Sequence, residues 1–191
     1  MLYRKIIRIL RLPNERRYIN LTLKLTTWRR KFMKKKLAYL IATFFGAGYA
    51  PAAPGTAGSL VTLPFAAVLA YYFGLAGILI ATAIVFVIGT CATHEVLKTS
   101  KHDPSFVVID EVAGQLLSFA LIADNLQFDG DSWLLYLLGF MLFRLFDITK
   151  PQPAGWADRK VRNAFGVMLD DIFAGAYAAI VLYLFNLWMN S

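Results

Sequence analysis

Between residues 144 and 171 the chain reads RLFDITKPQPAGWADRKVRNAFGVMLDD, a polar island between two apolar runs. Arg144, Asp147 and Lys150 are spaced by three and fall on one helix face. Pro151 ends that helix, and the adjacent pair Asp170 and Asp171 follows. A second acidic pair, Asp110 and Glu111, opens another apolar stretch. Ionisable groups at the margin of membrane-like segments persist when they pair, bind an ion or do chemistry. These five carboxylates with Arg144 and Lys150 carry a formal charge of −3. Like charges crowded beside hydrocarbon must protonate, disperse or hold a cation. Carboxylate oxygens suit a hard ion, and Mg²⁺ is the usual choice where phosphate is the substrate. Held by Asp110, Glu111, Asp170 and Asp171, it would polarise a phosphoryl oxygen and activate water, while Arg144 and Lys150 neutralise the other phosphate oxygens. That is a layout for phosphate ester hydrolysis, with Asp147 positioning the cations or completing the metal shell. Ordinary helix-end ion pairs explain any single residue of the set equally well, but leave both acidic pairs short of bases.

The elements that must carry these residues are helices in a bilayer. The chain has 191 residues, 58% hydrophobic and 17% charged, and its mean hydropathy is +0.55. A soluble core of this size would leave much apolar surface uncovered. The pattern predicts an all-α polytopic membrane protein with five to six embedded helices in one bundle. Spans are expected at 59–73 and 75–92, a hairpin joined near Phe73 and Gly74, and at 112–123, 133–149 and 172–189. Loops bearing Lys and Arg remain cytoplasmic. That rule puts the leader, the 93–110 loop and the 150–170 loop on one side, and the base-free 124–131 loop opposite. All the acidic candidates therefore share one layer at the cytoplasmic face.

Other motifs are weaker. The Gly- and Pro-rich break Gly48 to Leu60 places Thr56 and Ser59 where they suit the cap of a new helix, and helix N-termini attract anions, so both are candidate phosphate ligands. His94 and His102 are candidate proton-transfer groups. HEVLK is not a metalloprotease motif, because Lys98 replaces the second histidine. Asp129-Gly130-Asp131 imitates an aspartate nucleophile, but the residues after it open an apolar helix. The single cysteine, Cys91, excludes an internal disulfide and a cysteine-based zinc site.

Charge is unevenly spread. Residues 1–36 hold 13 Lys or Arg against one acid, and the remainder is net −4. The basic excess therefore belongs to an amphipathic N-terminal extension, 1–36, suited to an anionic lipid surface rather than to nucleic acid. Residues 37–191 form one membrane-embedded domain. Met33 with its three following lysines would itself make a compact start, so residues 1–32 are expected to be an upstream extension.

Four segments together are more specific than any of their parts. Gly48, Pro51, Pro54-Gly55-Thr56 and Gly58-Ser59 come first. Asp110-Glu111 with Gly114 follows, then Phe143-Arg144, Phe146-Asp147, Lys150-Pro151 and Pro153, and last Gly166-Val167-Met168, Asp170-Asp171 and Ala174-Gly175. In order and spacing this resembles the phosphatidylglycerophosphatase A family over about residues 37–189. The resemblance implies a Mg²⁺-dependent lipid phosphatase of the bacterial inner membrane, active site toward the cytoplasm, that converts phosphatidylglycerophosphate to phosphatidylglycerol. Its partners would be an anionic phospholipid substrate and membrane lipids. The long basic leader departs from the family pattern, as do Asn163-Ala164, where the family tends to show two glycines.

The rival reading is a cation-coupled transporter with the carboxylates as an ion pathway. Transporters place such groups near the bilayer middle, commonly in two related halves. Here they gather at one edge and no internal repeat is visible.

Overall fold

A computed structural model of the chain describes residues 15–100 and 104–191. The chain divides into two units, with the boundary between Leu37 and Ala38. Helix α1 (Glu15–Ala42) exposes every side chain from Leu23 to Leu37. Trp28 and Phe32 stack there at 5.3 Å, and Lys36 lies over the Phe32 ring.

The second unit is entirely helical among the described residues: α2 (Pro54–Leu97), α3 (Ile109–Leu117), α4 (Gly130–Thr149), α5 (Ala154–Lys160) and α6 (Ala164–Met189), with short 3₁₀ turns at Ala47–Tyr49 and Ala120–Asn125. Three helices, α2, α4 and α6, are long and apolar enough to cross a membrane. Only 22% of the most apolar window of α2 is buried against protein. Its remaining apolar surface must face lipid, which defines a polytopic helical membrane protein.

The expected count of five to six embedded helices is not confirmed among the described residues. The expected arms 59–73 and 75–92 belong to the single element α2, interrupted where the hairpin was expected. Gly74 there has φ 54° and ψ −148°, a conformation open to a residue without a β-carbon. Asp124 accepts a hydrogen bond from the Leu75 N–H at 3.0 Å and so caps the second arm from 49 residues away. Gly58 of the first arm packs on Val108 and Gly89 of the second on Ile109, so both arms return to one level. The expected span 112–123 is also revised. Helix α3 has nine residues, about 13 Å of rise, and gives way to a 3₁₀ turn. It is a buried insert that displays Asp110 and Glu111 in its first turn.

Helix α4 starts where the Asp129 carboxylate accepts from the Ser132 N–H at 2.8 Å. It ends at Lys150, as Pro151 requires, with Lys150 in the left-handed region at φ 44°. The segment expected as a 150–170 loop contains α5 and the first turns of α6. Asn163 caps α6 by accepting from the Gly166 N–H at 3.1 Å, so Asp170 and Asp171 lie within a helix. The Thr56 and Ser59 cap is not formed either. Pro54 takes the first helical position after Ala53, and no side chain caps that end.

Candidate active site

Seven of the residues singled out by their chemistry converge on one cavity of about 340 Å³: Asp110, Glu111, Arg144, Asp147, Lys150, Asp170 and Asp171. Helix α3 brings the first two, the last turns of α4 Arg144 and Asp147, and α6 the acidic pair; Lys150, expected on the same helix face, is instead the left-handed C-cap just beyond α4. The N-terminus of α2 forms another wall through Ala53, Pro54 and Gly55. Its first N–H groups lack intrahelical acceptors and present partial positive charge to the cavity.

The carboxylates fall into two groups. Asp110, Glu111 and Asp171 each offer an oxygen within 4.8 Å of the others. Asp170, expected among the metal ligands, lies outside that trio and uses one oxygen on Lys150, whose Nζ donates to Asp170 Oδ2 at 2.6 Å and to Asp158 Oδ1 at 2.7 Å; Asp170 Oδ1 is buried without a hydrogen-bond partner. Asp158 was not singled out in the sequence. It is the one acid of the basic 150–163 segment, and only the fold of α5 turns it toward Lys150. Arg144 Nη1 pairs with Asp147 Oδ2 at 2.6 Å and approaches Glu111 Oε1 at 3.9 Å.

The other candidates lie elsewhere. Ser59 is buried behind the cavity wall, donating to the Gly55 carbonyl at 2.9 Å and accepting from Arg144 Nη1 at 3.5 Å. Thr56 is half-buried and does not line the cavity. His94 lines a different cavity. His102 falls outside the described residues.

With Asp158 the cavity holds six carboxylates and two cations, formally −4. Burial pushes the Glu111 carboxyl up to about 8; the Asp171 charge adds to this, an Asp110 hydrogen bond opposes it, Asp147 raises it further and Arg144 lowers it. For Lys150, burial disfavours the ammonium, but its bonds to Asp158 and Asp170 outweigh burial and hold its pKa above the ordinary lysine range. Glu111 Oε2 and Arg144 Nε are buried without a hydrogen-bond partner. A cation and a phosphate oxygen would satisfy them in turn. The three clustered carboxylates fit a hard divalent ion.

Fold and cavity together define a polytopic helical membrane protein with an acidic, cation-bearing polar site at one end of its bundle. The sequence model of the family described as phosphatidylglycerophosphatase A matches residues 40–186, and the chain belongs to that family, a family of phosphatases. It is 37% identical over 152 residues to the phosphatidylglycerophosphatase A of Haemophilus influenzae, covering 79% of this chain and 90% of the relative. To the Escherichia coli protein of that name it is 34% identical over 147 residues, covering 76% and 81%. A Bacteroides thetaiotaomicron relative, named as a candidate phosphatidylinositol-3-phosphatase, is 36% identical over 154 residues, covering 76% and 91%. No solved structure matches the chain significantly. The transporter reading is not favoured.

Proposed function

We propose that the protein removes the terminal phosphate of phosphatidylglycerophosphate, giving phosphatidylglycerol and inorganic phosphate, with Mg²⁺ as cofactor. The reaction would take place at the cytoplasmic face of a bacterial inner membrane. The observation that carries this reading is the meeting of Asp110, Glu111 and Asp171 within 4.8 Å, beside Arg144 and Lys150, in a family of this activity.

Asp110, Glu111 and Asp171 would hold the ion. Bound Mg²⁺ supplies Lewis-acid polarisation of a phosphoryl oxygen and a more acidic water. Arg144 binds phosphate oxygens, and Asp147 fixes its guanidinium. The Lys150 ammonium uses two donors on Asp158 and Asp170 and keeps a third for phosphate. The first N–H groups of α2, beside Glu111 and Arg144 at Gly55, would add neutral donors. Attack by water forms one P–O bond as the ester P–O bond breaks, and the leaving glycerol oxygen takes up a proton. Residues 1–36 serve as a membrane-surface extension, and 37–191 as the phosphatase domain.

Phosphate release by the purified protein tests this, with phosphatidylinositol 3-phosphate as the comparison substrate. Release from phosphatidylglycerophosphate should stop with a chelator, return with Mg²⁺, and be abolished in a folded Asp171→Asn variant. Metal-independent turnover would remove the cofactor assignment, and preference for the inositol lipid would remove the substrate assignment.

A further inference from the structure

His94 opens on a second cavity, of about 310 Å³, lined by His94, Leu97, Lys98, Arg162, Asn163 and Ala164. One step of chain separates it from the catalytic cavity: Val161 lines the first, Arg162 the second. We propose that this pocket binds the phosphate of an anionic phospholipid, whose acyl chain lies along Phe86 and Phe165. The inference requires membrane embedding but not the catalytic reading.

Charge and position both point to a lipid. Lys98 and Arg162 come from segments 64 residues apart in sequence and face one cavity. Lys98 also pairs with Glu95 at 2.8 Å, an exposed i,i+3 pair of the kind worth little, so it still has donors for an anion. Arg162 uses Nε for the Arg159 carbonyl at 3.4 Å, and its planar fork has further donors that match a phosphate. His94 adds a ring nitrogen. The start of the 26-residue helix α6 contributes partial positive charge.

The pocket sits where α2 ends and α6 begins, at the polar end of two bilayer-length apolar helices. Steps of four residues back from the C-cap Lys98 pass His94 and Thr90 to Phe86, an i,i+4 ridge that winds down the end of α2. Phe86 meets Phe165 of α6 edge-on at 5.5 Å, and Phe165 is 47% exposed. A cationic pocket above an apolar aromatic wall matches a headgroup above its chain. Free phosphate would have no use for the wall.

The test is lipid retention by the full chain purified in detergent from equal amounts of phosphatidylglycerol and phosphatidylcholine, read by native mass spectrometry. The double variant Lys98→Gln, Arg162→Gln should retain roughly tenfold less phosphatidylglycerol with phosphatidylcholine unchanged. Phe165→Ala should weaken long-chain phosphatidylglycerol but not a short-chain analogue. Millimolar inorganic phosphate should leave the long-chain lipid bound. Equal retention by wild type and the double variant would overturn the site. Displacement by inorganic phosphate would reassign the pocket to free phosphate and overturn the lipid. Phosphate release from short-chain substrate, measured in parallel, should persist in the double variant, so a failed catalytic reading leaves the retention result interpretable.

Discussion

Gly114 and Gly175 cross so closely that a β-carbon on Gly175 would meet the Gly114 carbonyl oxygen, with the Gly114 α-carbon 3.0 Å away. Each glycine lies four residues, about one helical turn, after a site carboxylate: Gly114 after Asp110, Gly175 after Asp171. The contact between α3 and α6 therefore sets the separation of the carboxylates that would share an ion. Gly175→Ala should force the helices apart at a cost of about 1–3 kcal/mol and lower phosphate release by at least roughly tenfold, because the ligand oxygens separate. Thermal unfolding in detergent and phosphate release check the two effects; neither changing would refute the role of the crossing.

The Glu111 carboxyl supplies a pH dependence. Its ordinary value of 4.5 rises to about 8 in the fold, first through burial and then through Asp171. Between those values the folded protein holds the proton more tightly than the unfolded chain. Metal-free stability should therefore fall as pH rises from about 4.5 toward 8, then level off so far as Glu111 governs it. A divalent ion competes with that proton, so its affinity should grow as pH rises through about 8. Unfolding temperatures measured with chelator and with Mg²⁺ should diverge as pH rises; a constant gap would contradict the assignment.

Asp158 accepts a hydrogen bond from Lys150 at 2.7 Å, so under the proposed function it would act on phosphate through that ammonium. Asp158→Asn should lower phosphate release about tenfold, and Asp158→Glu should recover part of it. Stability should barely change, because the Asp158 side chain is 37% exposed and such pairs are worth about 0–1 kcal/mol. Full activity in the asparagine variant would show that Asp170 alone suffices to hold Lys150.

Removing residues 1–32 should weaken binding to vesicles rich in anionic lipid and leave turnover in detergent near wild type, because the basic excess lies in this leader and the family match starts at residue 40. Loss of turnover in detergent would place the leader in the catalytic unit.

Hydropathy and residue type were enough to identify a helical membrane protein, seven of the eight charged residues of the cavity and the family. Each rests on local composition or on spacing along the chain. The apolar runs 59–73 and 75–92 were legible, as was the break at Gly74. The failure of 112–123 to span was not, because an apolar run buried by protein reads the same as one facing lipid.

How the carboxylates divide was decided by the tertiary structure alone. Adjacent helical residues point about 100° apart, so Asp171 can face Asp110 and Glu111 while Asp170 turns to Lys150. Sequence shows that the two are neighbours and near one membrane edge, but not which way each points, because that depends on how α6 is rotated against α3 and α4. The same rotation and the short helix α5 recruit Asp158 and leave His94 opening on a separate cavity.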